Sequence, residues 1–352
     1  MNVLATGDVR DALKASQLPA AAELGAAVQE LCGGADAAAP IVGLRQLKRG
    51  VYRVQIEAGD GVRSLVIKSS DPALGRHNQL VARRWLPAVG LSGACARVLG
   101  CAADPRGEGM WLIYEDLGES TLDAAKSDRR RVAAAVELIA TLHVRSAGHA
   151  VLPECRHHGR DLGAAYIAAN VNDAIQGLEM LGRSRVVLSP AHRTIRDGLL
   201  ARLCALRGEL PDRLRMLAVH GGPAVLLHGD LWPTNAFVVD GPDGLVARLV
   251  DWDGAGVGPA SYDLSTFLLR FPLEERPWIL ERYRAAVVES AGWRLPSTRD
   301  LNVLFETAEC ARYANHAVWP AVALLVDGAE WAFDALAIVA GWFADLRPVL
   351  PE

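Results

Sequence analysis

His228-Gly229-Asp230-Leu231-Trp232-Pro233-Thr234-Asn235 is followed, sixteen residues beyond the Asn, by Asp251-Trp252-Asp253, and this stretch decides how the whole chain is read. Val225-Leu226-Leu227 reads as a short apolar strand running into the first block. Ala236-Phe237-Val238-Val239 and residues 246–250 read as two further strands, joined by the turn-rich Asp240-Gly241-Pro242-Asp243-Gly244. A hairpin folds the chain back on itself, so Asp251 is expected to return to the neighbourhood of Asn235. A loop then carries one carboxylate, and the two ends of the hairpin carry oxygen donors able to share a hard cation.

Those residue types match the needs of phosphoryl transfer. The transferred group carries spread negative charge and needs little covalent help, so a catalyst must align the acceptor hydroxyl and neutralise charge. A carboxylate at Asp230 suits the first task. In an H-x-D-x-x-x-x-N loop the Asn offers an amide oxygen to Mg²⁺, and Asp251 suits the bridging carboxylate ligand. Each residue alone reads equally well as a turn, a cap or a strand end, because Asp and Asn are common in all three. Their order, their spacing and the intervening hairpin together point to a site. Asp253 reads either as a further site carboxylate or as an exposed loop residue.

The block resembles the catalytic region of the aminoglycoside phosphotransferase and choline kinase group, relatives of protein kinases that phosphorylate small molecules. The resemblance implies that Asp230 is the catalytic Asp and that Asn235 and Asp251 are Mg²⁺ ligands. It makes residues 254–264 the group's Gly/Pro turn, ending in Tyr262-Asp263-Leu264. It further implies that Asp263 accepts hydrogen bonds from the catalytic loop and that His228 packs beneath it. The implied fold is α+β and protein-kinase-like, in two lobes. Residues 1–115 would form a small nucleotide-binding lobe with an antiparallel sheet, and residues 116–352 a larger, mainly helical catalytic and substrate-binding lobe.

Upstream, Val51-Tyr52-Arg53-Val54-Gln55-Ile56 alternates as a strand, Gly59-Asp60-Gly61 is a turn, and Ser64-Leu65-Val66-Ile67-Lys68 is a second strand ending in Lys. By the resemblance, Lys68 reaches the α and β phosphates. The loop before it, Lys48-Arg49-Gly50, holds a single glycine, so Gly50 is the phosphate-contact candidate there. Kinases usually pair the lysine with a Glu on the next helix, which here is expected to begin at Asp71-Pro72, an N-cap followed by Pro in the first turn. No Asp or Glu lies between Asp71 and Asp104. Gln79 falls near the expected position and offers a neutral hydrogen bond; the alternatives are Glu23 and Glu30 on a leading helix over 8–31. Residues 110–118, Met-Trp-Leu-Ile-Tyr-Glu-Asp-Leu-Gly, resemble the inter-lobe hinge, where adenine would meet backbone groups near Glu115 and Leu117.

The remainder of the sequence bounds the function. The 352 residues are 51% hydrophobic and 22% charged, enough for more than one core, with helices expected over 129–147, 191–206, 278–290, 301–318 and 330–346. A net charge of −4 argues against nucleic acid, and Arg129-Arg130-Arg131 reads as a solvated helix face. The most apolar C-terminal region is interrupted by Pro320, Asp327, Glu330 and Asp334, so no membrane role is expected, and a cytoplasmic location with no obligate protein partner follows. The six cysteines include no C-x-x-C pair and form no zinc signature, and His157-His158 reads as a solvated loop.

Only seven residues separate Asp251 from Pro259, which leaves no room for a peptide-binding segment, so the acceptor is expected to be a small molecule. The resemblance implies a hydroxyl of an amino sugar, antibiotic, amino alcohol or sugar-like metabolite as acceptor. It implies ATP, with GTP not distinguished, and Mg²⁺ as cofactors. Glu274, Glu275, Glu306, Glu309 and Glu330 either attract a cationic acceptor or form an exposed helix face, and Tyr313 and Trp319 either stack on it or pack in the core. Two competing readings remain. His228-Gly229-Asp230-Leu231-Trp232 also resembles the fructosamine kinases, and the missing helix carboxylate favours a catalytically silent nucleotide-binding regulator.

Overall fold

The computed structural model describes residues 7–8, 20–31, 40–58, 61–126, 128–242, 244–291 and 293–351. The chain divides into two compact units, Met1–Leu122 with Thr234–Asp253, and Asp123–Pro233 with Gly254–Glu352.

The first unit is built on a six-stranded antiparallel sheet in the order β1-β2-β3-β4-β6-β5. Its strands are β1 (Gly7–Asp8), β2 (Pro40–Lys48), β3 (Val51–Ala58), β4 (Gly61–Ser70), β5 (Val98–Ala103) and β6 (Met110–Glu115). Side chains alternate across a strand, so Leu65 and Ile67 bury with Val54, Ile56 and Ile113, while Lys68 takes the opposite face. Helix α1 (Ala21–Leu31) covers the buried face with Leu24 and Val28. Residues 9–19 of the expected leading helix lie outside the described residues, as do Cys32 and the expected turn residues Gly59 and Asp60. Gly50, at φ +72°, makes the tight turn from β2 to β3 in a backbone region where a Cβ is disfavoured.

Helix α2 (Pro72–Leu80) begins where the sequence places it, with the Asp71 carboxylate accepting the Ala73 N–H at 2.7 Å and Pro in the first turn. It runs on through a π turn (Val81–Trp85) to Leu86–Ala88. The hairpin of β9 (Ala236–Gly241) and β10 (Gly244–Leu249) belongs to this unit by its contacts. Ala236 pairs with Leu249, the Ala94 carbonyl accepts the Leu249 N–H at 2.8 Å, and the Ala236 carbonyl accepts the Leu122 N–H at 2.9 Å.

The second unit is mainly helical. Its helices are α3 (Arg129–Ser146), α4 (Leu152–His158), α5 (Ala164–Arg183), α6 (Pro190–His220), α7 (Ser261–Leu269), α8 (Arg276–Ala291), α9 (Thr298–Asp327) and α10 (Trp331–Asp345). A small sheet of β7 (Arg160–Asp161), β11 (Gly256–Pro259) and β8 (Ala224–Leu227), in that order, carries the chain into and out of the catalytic motif. Two expected helices prove much longer. α6 continues past residue 206 through Pro211, and α9 continues past 318 through Pro320. A proline removes one backbone bond, but here the apolar stripes of both helices, including Leu214 and Leu217 after the first and Leu324 after the second, stay packed on the shared core. His157 and His158 close helix α4 instead of lying in a loop, a position where positive charge suits the helix dipole. Among the described residues no helix is long and apolar enough to cross a membrane.

Candidate active site

Lys68 sits at the end of β4, and its ammonium is held on three sides. Its Nζ donates to Asp251 Oδ1 at 2.6 Å and to the two Asp253 oxygens at 2.8 and 2.9 Å. Helix α2 contributes Asn78, whose Nδ2 donates to Asp253 Oδ1 at 2.7 Å. The absent helix carboxylate is thus replaced from the hairpin exit: Asp253 holds the lysine, and Asn78 ties Asp253 to the helix. Gln79, expected in that role, does not reach Lys68; its Nε2 is buried without a hydrogen-bond partner. Neighbouring helix positions differ by about 100° in direction, so Asn78 faces the lysine and Gln79 points away. Glu23 and Glu30 on α1 make no bond to Lys68 either.

Asp251 follows β10 with its backbone in the left-handed region, φ +67°, an arrangement that costs about 1–3 kcal/mol for a residue with a Cβ and that recurs at functional sites. Its second oxygen accepts from Lys48 Nζ at 2.8 Å. Burial alone would raise the Asp251 carboxyl, but Lys68 and Lys48 outweigh it and hold it well below the usual carboxylate range. For Lys68, burial opposes the charge, yet Asp251 and Asp253 prevail and raise its pKa. Asn235 closes the short 3₁₀ turn Pro233–Asn235, and its carbonyl accepts the Val250 N–H at 2.9 Å. The hairpin thereby brings Asn235 and Asp251 to one end of the ladder, as its register requires.

Lys48, Lys68, Asn78, Asn235 and Asp251 open onto one cavity of the first unit, about 350 Å³ in volume, within the range that small-molecule sites occupy. Its walls include Val51, Val66, Ala82, Tyr114, Phe237 and Leu249, and its polar groups Lys48, Lys68, Asn235 and Asp251. Glu115 and Leu117 line it as well. The Glu115 carboxylate accepts from Arg97 N at 2.7 Å and Arg248 Nη1 at 2.9 Å, and its N–H bonds the Arg97 carbonyl. Among the described residues the Leu117 backbone makes no hydrogen bond, which leaves it able to meet the edge of a base. Gly50 turns the loop beside Lys48, and its carbonyl accepts the Ser69 N–H at 2.7 Å.

Mg²⁺ asks for oxygen donors, few from protein and the rest from phosphates and water. The chain fits that demand. Asn235 and Asp251 supply an amide and a carboxylate at one cavity end, and both Asp251 oxygens already face positive charge.

The second unit holds the catalytic loop. β8 ends at Leu227, and Gly229 turns the chain at φ +80°; a Cβ there would fall 1.9 Å from the Gly254 carbonyl oxygen, so only glycine fits. Asp263, in the first turn of α7 and wholly buried, accepts the His228 N–H at 2.7 Å and the Gly229 N–H at 2.9 Å, one on each oxygen. Burial raises this carboxyl, but His143, His228 and the Gly229 amide outweigh it and lower its pKa. His143 Nε2 lies 3.5 Å from Asp263 Oδ2, and its other ring nitrogen bonds the Tyr283 hydroxyl at 2.8 Å. The loop is therefore supported from beneath by a chain of groups, His143 and Tyr283, that sequence reasoning did not single out. His228 is buried there, with its Nδ1 3.4 Å from the Asp230 N–H, and the Asp230 carbonyl accepts the Trp232 N–H at 2.9 Å.

Three of the five carboxylates expected to attract a cationic acceptor are engaged with arginines. Glu309 is fully buried and accepts from Ser265, Thr266 and Arg312 at 2.7, 3.1 and 3.0 Å. Glu306 accepts from Arg213 at 2.6 Å, and Glu275 pairs with Arg129 at 3.0 Å. Glu274 and Glu330 are exposed. Trp319 is 69% exposed, whereas Tyr313 packs against Trp342 and Phe343.

Residues 43–301, well over half of the chain, match the model of the phosphotransferase enzyme family. No curated protein sequence matches the chain. Among solved structures, the aminoglycoside phosphotransferase APH(3'')-Id from Streptomyces rimosus, in complex with ADP and streptomycin, is similar with a TM-score of 0.50 and 19% identity over 80% of this chain and 95% of that one. The spectinomycin phosphotransferase APH(9)-Ia, in complex with ADP and spectinomycin, is similar at 0.52 and 10% identity over 86% and 93%. An ethanolamine kinase from Plasmodium vivax is similar at 0.53 and 12% identity over 86% and 81%. At such identities the likeness is one of fold, and the chain has the α+β, kinase-like fold of these proteins.

Proposed function

The chain belongs to the phosphotransferase enzyme family and is a phosphotransferase acting on a hydroxyl group of a small molecule; on that premise we propose that it transfers the γ-phosphoryl group of ATP, with Asp230 orienting the acceptor and Asn235 and Asp251 holding Mg²⁺. The observation that carries this reading is the gathering of Lys68, Asn235 and Asp251 around one cavity that Glu115 and Leu117 also line. In this reading residues 1–115 form the nucleotide-binding lobe and residues 116–352 carry the catalytic and acceptor-binding groups. Lys68 binds the α and β phosphates, and Asp253 with Asn78 keeps its ammonium aimed. Bound Mg²⁺ supplies charge neutralisation at the phosphate oxygens. The Asp230 carboxylate accepts the acceptor's hydroxyl proton as that oxygen bonds to the γ phosphorus and the bond to ADP breaks. Asp263 keeps the backbone of His228 and Gly229 fixed, and through it the carboxylate two residues on.

The family resemblance offers amino sugars, antibiotics, amino alcohols and sugar-like metabolites as acceptor candidates to be sorted by charge, and the seven residues between Asp251 and Pro259 disfavour a peptide. The missing helix carboxylate no longer argues for a silent regulator, because Asp253 takes its place. The test is ADP release with Mg-ATP across a panel of hydroxyl compounds, in wild type and Asp230→Asn. Acceptor-dependent turnover is expected, lowered about a hundred- to ten-thousand-fold in the variant, with Mg-ATP binding by calorimetry retained. Binding of ATP without any turnover would identify a regulator instead, and wild-type turnover in the variant would remove Asp230 from its role.

A further inference from the structure

In the second unit the two carboxylates Glu309 and Glu306 are each paired with an arginine. Glu309 and Arg312 neutralise one another in the interior, with Arg312 Nη2 also donating to the Tyr262 carbonyl at 3.1 Å. Glu306 is bound to Arg213. Two carboxylates, Glu309 and Asp230, act electrostatically on the same three groups of this unit, Arg270, Arg312 and His316, and Glu309 is the stronger on both arginines. Burial and Arg312 hold His316 toward its neutral form, and Arg312 is already committed to Glu309. Arg270 is the remaining cation.

Its geometry is specific. Arg270 follows the last residue of α7, and its guanidinium carbon lies 3.4 Å from the centroid of the Trp232 ring, a stacked arrangement. Trp232 is itself tied to Asp230 by the backbone bond at 2.9 Å, so the stack fixes the guanidinium against the catalytic loop. Among the described residues that guanidinium makes no hydrogen bond and no ion pair. A cation at a helix C-terminus has a structural use, yet among the described residues this guanidinium bonds none of the terminal carbonyls and sits over the ring. Stacking orients the planar fork with its donors unengaged, the form in which arginine recognises a carboxylate or phosphate in a bidentate manner.

We propose that Arg270, laid on Trp232 beside Asp230, is the acceptor-recognition residue of this enzyme, and that the hydroxyl compound it phosphorylates carries a carboxylate or phosphate group and not an ammonium. This rests on the kinase reading of Asp230 given above. The test uses matched triads of hydroxyl compounds, each an acid, its neutral parent and its amine (gluconate, glucose and glucosamine; glycerate, glycerol and serinol; and the phosphate monoesters of the two parents) with Mg-ATP. ADP release is followed in wild type, Arg270→Gln and Arg270→Lys. Wild type is expected to prefer the anionic member, and the anion-to-neutral ratio of kcat/KM is expected to fall about tenfold or more in Arg270→Gln, mostly through KM, and less in Arg270→Lys. Preference of wild type for the amines, or an equal fall for all three members in the variant, overturns the proposal while leaving the kinase standing. If no member turns over, the kinase reading fails separately. The anion site is then read from the rise in thermal midpoint with sodium sulfate, which is expected to be larger for wild type than for Arg270→Gln. Equal rises overturn the proposal.

Discussion

Asp251 and Asp263 are two carboxylates held below the ordinary range by opposite designs. Asp251 lies on a left-handed backbone at the edge of a cavity and is met by the ends of two long side chains, Lys48 and Lys68. Asp263 lies in the first turn of a helix, fully buried, and is met by two backbone N–H groups and a buried histidine. Flexible ammonium groups can yield a carboxylate to an incoming cation at little cost, whereas backbone donors and a sealed core cannot. The difference separates a carboxylate arranged to bind from one arranged to hold.

Three substitutions or conditions test that separation, taken from the largest expected effect to the smallest. Asp263→Asn puts an amide where two N–H donors converge and leaves one of them unpaired in the core; a stability loss of about 3 kcal/mol is expected in denaturant unfolding, with reduced turnover. An unchanged midpoint would mean that the loop holds itself. Asp251→Ala should leave the fold nearly as stable, because the lost ion pairs lie at a cavity edge, but should weaken Mg-ATP binding by about 2 kcal/mol, roughly thirtyfold by calorimetry. Equal affinity with and without the carboxylate would end its assignment as a metal ligand. The acid response is the finest test. Because the folded pKa of Asp263 is lowered, its contribution is complete above the unfolded value near 4 and is lost as pH falls through the folded one. Between about pH 5 and 3, the thermal midpoint of wild type should fall more steeply than that of Asp263→Asn. Parallel curves would show that other carboxylates govern acid unfolding.

The legible parts of this fold are those in which local pattern is enough. The 236–249 hairpin follows from alternation and a Gly-rich turn, and α2 from an Asp-Pro start. Helix α5, absent from the expected helices, carries the same local signal: Ile167, Val171, Ala174, Ile175, Leu178 and Leu181 repeat at helical spacing on its buried face. The ends of α6 and α9 were not readable, because whether a helix survives an internal proline depends on the surface it packs against.

By itself the sequence determined the family, the kinase-like fold, and the order and spacing of Asp230, Asn235, Asp251 and Asp263. These are set by short loops and one local hairpin whose geometry propagates from neighbour to neighbour. Only the tertiary structure decided which group answers Lys68, that His143 and Tyr283 stand beneath Asp263, that Glu306 and Glu309 are internally neutralised, and that Arg270 lies on Trp232. Apart from Glu309 with Arg312, these are meetings of side chains distant along the chain, 185 residues apart for Lys68 and Asp253. No local periodicity encodes such a meeting, because it depends on the directions in which whole elements pack.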